Sequence, residues 1–185
     1  MQRSRPVSTA AVVTHGRHEL GDAVDRVRAV AERAGVRLVD EPREAELVVA
    51  LGGDGTMLRT VDVVAPKSVP VLGVNVGQLG YLTEVERDEL DASMPRLLAG
   101  DFDVSERMVL AVRVTSSGAA AGTWFALNEA ALEKQRSGHL IRLDVSINGS
   151  PFTTYAADGV IVATDRKSTR LNSSHRMPSR MPSSA

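Results

Sequence analysis

Gly52-Gly53-Asp54-Gly55-Thr56 is the stretch of this chain whose residue types and spacing best suit chemistry. It follows an apolar run, Leu47-Val48-Val49-Ala50-Leu51, and precedes the helix-like Met57-Leu58-Arg59-Thr60-Val61-Asp62-Val63. Three glycines allow a sharp turn and leave main-chain N–H groups without a Cβ in the way. Those N–H groups and the N-terminus of the next helix form an anion cradle suited to a nucleotide phosphate. A carboxylate inside such a cradle is unfavourable unless it does work. Asp54 can hold Mg²⁺ or take a proton from an attacking hydroxyl. The alternative is a tight strand-to-helix turn with Asp54 as an exposed cap. The stretch is neither the dinucleotide fingerprint nor a P-loop, because it lacks a third glycine at the required spacing and any Gly-Lys-Ser/Thr.

Other polar groups stand at the ends of apolar runs. Asn75-Val76-Gly77-Gln78-Leu79-Gly80-Tyr81-Leu82 falls where a doubly wound sheet carries its ligand loops, at the carboxyl ends of strands. By itself it reads equally well as an ordinary glycine-rich loop. Asn128-Glu129 ends a run that begins at Trp124, and Asp158 precedes the run Gly159–Thr164. Such side chains bond ribose hydroxyls and amides, and they cap turns just as well. His139 follows the polar stretch 133–138, and a lone histidine is more often a surface residue than a catalyst.

The elements that must position these groups alternate in the front half. Thr9–Val13 is a short strand ending in Thr14-His15-Gly16-Arg17. Leu20, Val24, Val27, Ala31 and Ala34 recur at helical spacing, and Gly35 closes that helix. Val36–Val39, Leu47–Leu51 and Val69–Val74 are further strands. The second of these has no alternation, as in a strand buried on both faces of a parallel sheet. The alternation of strand and helix implies crossover units and an α/β fold, an open doubly wound, mostly parallel sheet with helices on both sides. Leu90–Leu98 reads as a short helix kinked or broken at Pro95 and stopped by Gly100.

After Asp101 the texture becomes strand-rich, with Met108–Val114, Trp124–Leu127, Ile141–Ile147 and a buried strand at Gly159–Thr164. Asn148-Gly149 signals a hairpin. The expected organisation is an α/β domain over 1–100, the incomplete start of a β-rich domain over 101–165, and a disordered, non-native tail over 166–185. That tail has six serines, two prolines, one leucine and a repeated Arg-Met-Pro-Ser, too little apolar surface to offset chain entropy.

Composition narrows the function classes. There is no cysteine, which excludes disulfides, thiolate metal sites and a cysteine nucleophile. No apolar run approaches a membrane span, and the first thirty residues lack a signal-peptide core, so a cytoplasmic protein is expected. The tail's five basic residues leave 17 basic against 23 acidic residues in the body, a balance of -6 that argues against nucleic-acid binding.

Taken together, five features in this order resemble the NAD kinase family in its bacterial form. They are Thr14-His15-Gly16-Arg17, Gly52-Gly53-Asp54-Gly55-Thr56, Asn75–Leu82, Asn128-Glu129 and Asp158–Thr164, and the likeness runs from about residue 9 to 164. The glycine–aspartate motif alone is shared with diacylglycerol and sphingosine kinases, which keeps a lipid kinase as an alternative. An acidic body does not suit a membrane surface. A non-catalytic nucleotide-binding fragment is the other alternative. The resemblance implies transfer of the γ-phosphoryl of ATP, with Mg²⁺, to the 2′-hydroxyl of the adenosine ribose of NAD, in an enzyme that is homo-oligomeric at full length. It implies that Asp54 is the catalytic base and helps place the metal, with Gly55 and Arg59 near the same NAD. Asn128 and Glu129 would hold the nicotinamide-side ribose and carboxamide, His139 would lie near them, and Asp158 would fix NAD. After Ala163-Thr164 the family continues Pro-Thr-Gly-Ser-Thr-Ala-Tyr. Here Asp165-Arg166-Lys167-Ser168-Thr169-Arg170-Leu171 follows, in which only Ser168 and Thr169 fit, so this chain by itself is expected to be inactive.

Overall fold

A computed structural model describes residues 5–14, 20–77, 80–115, 121–135 and 138–165. His15, Gly16, Arg17, Gln78 and Leu79 lie outside the described residues. So do Ser168, Thr169 and the whole stretch 166–185 with the disorder expected of it.

The first hundred residues run β1 (Thr9–Thr14), α1 (Gly21–Arg33), β2 (Arg37–Leu38), β3 (Leu47–Leu51), α2 (Asp54–Val64), β4 (Val71–Asn75), β5 (Val85–Glu86) and α3 (Leu90–Leu98). All five strands are parallel, in the order β2-β1-β3-β4-β5. The central strand explains its own sequence. Val49 and Leu51 face Ala23, Val27, Val30 and Ala31 of α1 and Leu90, Met94 and Leu98 of α3. Val48 faces the other way, with Ala11 and Val64 of α2. Every β3 side chain is buried, so no polar position survives to give alternation.

Two local expectations need correction. Ala34 does not belong to the buried stripe of α1: it is the C-cap and is exposed, because Gly35 turns the chain at φ +68° there. Pro95 does not break α3, which runs unbroken from Leu90 to Leu98. Proline removes one main-chain hydrogen bond. Packing of Leu90, Met94 and Leu98, each at most 2% exposed, outweighs that loss.

Among the described residues beyond 101 the strands pair only antiparallel. They are β6 (Leu110–Val114) with β7 (Gly122–Ala126), β8 (Glu129–Glu133) with β11 (Gly159–Ala163), and β9 (Ile141–Ile147) with β10 (Ser150–Ala157). The β9–β10 hairpin turns at Asn148-Gly149, both at positive φ, as the two-residue turn requires. Neither β5 nor β8 stood out as a strand in the sequence. β8 reads Glu-Ala-Ala-Leu-Glu, with weak strand propensity, and is made a strand by its partner β11. β11 was expected to be buried and is not: Ile161 is 62% and Val162 55% exposed. An apolar run signals burial only if a layer covers it, and among the described residues β11 has β8 beside it and no layer over those side chains.

Leu51→Ala should cost about 2–5 kcal/mol, read as a lower urea midpoint, since the side chain is fully enclosed. Glu46 adds a pH dependence. The Ser8 N–H donates to its Oε2 at 2.6 Å and Arg5 pairs with Oε1, which against some desolvation hold the carboxyl below the usual glutamate range. A lowered folded value stabilises above the unfolded value and is lost as pH falls through the folded one. The difference in urea midpoint between the native chain and Glu46→Gln should therefore shrink on acidification; a difference that grows would contradict this.

Candidate functional site

The strand order places the reversal of direction between β1 and β3, which lie side by side with Thr14 opposite Leu51. In open α/β sheets of this order, the crevice beyond the carboxyl ends of those two strands is where ligands bind. Gly52–Thr56 opens directly into it. A Cβ at Gly52 would lie 2.2 Å from Thr56 Oγ1, so the turn admits only glycine, whereas Gly53 and Gly55 have open space on their Cβ side. Asp54 is the first residue of α2, three residues earlier than the apolar pattern suggested; the Thr56 and Met57 N–H groups donate to the Gly53 carbonyl at 3.0 and 3.2 Å, and those of Asp54 and Gly55 precede the first intrahelical bond. Arg59 lies one turn beyond Gly55 on the same side of α2 and is exposed.

Asp54 is half-buried and is not an exposed cap. Its Oδ1 accepts the N–H of Leu82 at 2.9 Å and that of Tyr81 at 3.0 Å, and the Tyr81 N–H also reaches Oδ2 at 3.2 Å. A negative side chain at a helix N-terminus also sits favourably in the helix field. The chain that supplies those amides is the return from β4 to β5, nine residues at 76–84. Parallel neighbours ordinarily need a dozen or more connecting residues. This short return is fixed at both ends. Asn75, 2% exposed, donates from Nδ2 to both Glu86 oxygens at 3.2 and 3.0 Å and accepts the Gly77 N–H at 3.1 Å, while the Glu84 N–H donates to the Gly73 carbonyl at 2.9 Å. Asn75 is thus a brace for the loop, a role its place in a glycine-rich motif did not reveal. Among the described residues, Thr83 Oγ1 in this loop is the buried side-chain oxygen without a hydrogen-bond partner.

The remaining candidates fall into two groups. Glu129 begins β8 and Asn128 immediately precedes it; there the Thr164 N–H donates to the Asn128 carbonyl at 2.8 Å and the Thr164 hydroxyl donates to the Leu127 carbonyl at 2.9 Å. Asp158 stands at the other end of the β8–β11 ladder, where Gly159 faces Glu133. Five residues of strand separate the two ends, roughly 13 Å. There Asp158 pairs with Lys134, and His139 lines an open cavity of about 640 Å³ with Leu132, Glu133, Lys134, Gln135 and Ile141. Lys134 carried no signal in the sequence. Nor did Asp62, whose Oδ1 accepts the Phe125 N–H at 2.6 Å and joins β7 to α2.

Among the described residues no three His, Cys, Asp or Glu side chains converge on a point that could hold a metal. One carboxylate, Asp54, stands at the cradle, and Mg²⁺ is a cation that can be held by a single carboxylate together with a nucleotide's phosphates.

Residues 11–102 match the family described as the ATP-NAD kinase N-terminal domain. The NAD kinase of Heliobacterium modesticaldum is 39% identical over 150 residues, covering 81% of this chain and 53% of that protein. The NAD kinase of Citrifermentans bemidjiense is 44% identical over 135 residues, covering 73% and 47%. The chain belongs to the NAD kinase family. It spans about half the length of the curated relatives it matches. The same fold occurs in yeast NADH kinase, solved with NADH, with a TM-score of 0.70 at 23% identity over 92% of this chain and 61% of that one. An NAD kinase of Archaeoglobus fulgidus solved with ATP gives a TM-score of 0.60 at 25% identity over 90% and 64%. No described helix of this NAD kinase family member is long and apolar enough to cross a membrane.

Asp62→Ala should free β7 from α2. The Phe125 amide should exchange its hydrogen about tenfold faster while Val48–Leu51 stay protected; unchanged exchange at Phe125 would show that the contact carries no weight.

Proposed function

We propose that this chain is the N-terminal portion of a bacterial NAD kinase that moves the γ-phosphoryl of ATP to the 2′-hydroxyl of the adenosine ribose of NAD, giving NADP and ADP. The observation that carries the reading is Asp54, a carboxylate fixed by main-chain amides at the N-terminus of α2, in the crevice beyond β1 and β3. Family membership and the ordered motifs support it. As the new oxygen–phosphorus bond forms, the 2′-hydroxyl proton passes to Asp54, and the bond between the γ-phosphorus and the bridging oxygen breaks to release ADP. Mg²⁺ bound with ATP would neutralise phosphate charge beside Asp54. The N–H groups of Asp54 and Gly55 at the first turn of α2 complement the same anion, and most of the rate comes from holding the three reacting centres in line.

On this reading Gly55 and Arg59 lie along the same NAD, Asn128 and Glu129 receive its nicotinamide-side ribose and carboxamide, and His139 and Asp158 lie further along the ladder. The Lys134 partner of Asp158 would set how far that carboxylate reaches toward NAD. Thr164 is tied beside Asn128, which supports a family loop emerging next to the nicotinamide end and gripping both nucleotides. The enzyme would be cytoplasmic and, at full length, homo-oligomeric.

In a form extended to the length of its relatives, Asp54→Asn should lower NADP formation about 10²–10⁴-fold, as expected for loss of a general base, with NAD binding largely spared. Near-native turnover would remove Asp54 from the mechanism. The 185-residue chain, whose sequence departs from the family after Thr164, should form no measurable NADP from NAD, ATP and Mg²⁺. Turnover comparable to the extended form would show that the departing segment is dispensable.

A further inference from the structure

We propose that Gly80 is a positioning residue for Asp54: its loop commits one carboxylate oxygen to the main chain and leaves the other for the substrate hydroxyl. This rests on the reading of Asp54 as the base. Among the described residues, Oδ1 receives both short bonds, from Leu82 at 2.9 Å and Tyr81 at 3.0 Å, whereas Oδ2 receives only the longer part of the shared Tyr81 bond, at 3.2 Å. A carboxylate oxygen offers two lone-pair directions. Oδ1 is therefore filled, and Oδ2 keeps a direction for an incoming O–H. Two amide donors on one oxygen also fix the plane of the carboxylate, which would otherwise rotate, and a fixed acceptor is what an in-line reaction needs.

The loop can approach this closely because residue 80 has no side chain. A Cβ there would stand 2.6 Å from Asp54 Oδ1 and 3.2 Å from Thr83 Oγ1. The loop cannot retreat as a body. Asn75 holds Gly77 and Glu86 at one end, and the Leu82 carbonyl lies so near β4 that a Cβ at Gly73 would stand 2.8 Å from it. A methyl group at 80 must therefore turn Asp54 aside or lift Tyr81 and Leu82, and either movement breaks the clamp. Gly77, in the same loop, meets nothing within 4 Å and provides the control.

The experiment is residue-resolved hydrogen exchange by NMR on the 185-residue chain. The Tyr81 and Leu82 amides should exchange about tenfold slower than open amides. Gly80→Ala and Asp54→Ala should both bring them to the open rate, with Val48–Leu51 still protected. Gly77→Ala should leave them protected, and Asp54→Asn should do the same because it retains an acceptor oxygen at the same place. Open amides in the native chain, or protection that survives Gly80→Ala, overturns the proposal. If Gly80→Ala fails to fold, the Asp54→Ala and Asp54→Asn pair decides, since equal exchange in the two also overturns it. The exchange needs no turnover, so the two readings fail separately. Undiminished NADP formation by Asp54→Asn in the extended form removes the base, whereas open amides in the native chain remove the clamp.

Discussion

The carboxylate of Asp54, gripped by the main-chain N–H groups of Tyr81 and Leu82, ties the end of β3 and the start of α2 to the return between β4 and β5. Much of the site's geometry depends on that tie. It turns the acid toward a defined direction at a helix N-terminus, and it gives the return loop a fixed contact at its middle. The surroundings make room for it by omission. Gly80 lacks the carbon that would overlap Oδ1, and Gly73 lacks the one that would strike the Leu82 carbonyl. Glycine serves here through the absence of a side chain, not through unusual dihedral angles.

Rigid elements hold this arrangement. α1 and α3 cover one face of the parallel sheet and α2 the other, so β3 is enclosed from both sides and its end is a stable platform. Exposed ion pairs tie the first face together, Arg26 of α1 with Asp91 of α3 and Arg87, just before α3, with Asp22 of α1. The guanidinium of Arg87 bonds Asp22 and, against desolvation, holds its carboxyl below the usual range. Exposed pairs of this kind orient more than they stabilise. The apolar interior does the stabilising.

The antiparallel ladders are different in kind. β7 is attached to α2 through Asp62, and Thr164 locks the Asn128 corner, but large apolar side chains such as Leu132, Phe152 and Ile161 remain more than half exposed. The candidate residues on these ladders are therefore placed by strand register and a few polar ties, while Asp54 is placed by a packed core. The Asp54 side of the candidate site is consequently the better defined.

The sequence by itself determined the alternation of strand and helix, the burial of Leu47–Leu51, the Asn148-Gly149 hairpin and the family to which the ordered motifs belong, because each of these is written in local periodicity, turn chemistry or spacing. It could not show that Asp54 is held by Tyr81 and Leu82, that Asn75 braces the loop through Glu86, or that Asp158 faces Lys134. These contacts join residues well separated along the chain, and no local pattern encodes which amide a carboxylate will meet. The opposite placement of Asn128 and Asp158 on one ladder, the strand character of Glu129–Glu133 and the exposure of Ile161 were likewise decided by tertiary pairing. A strand takes its register and its covered face from its neighbours, and those are set only when the chain has folded.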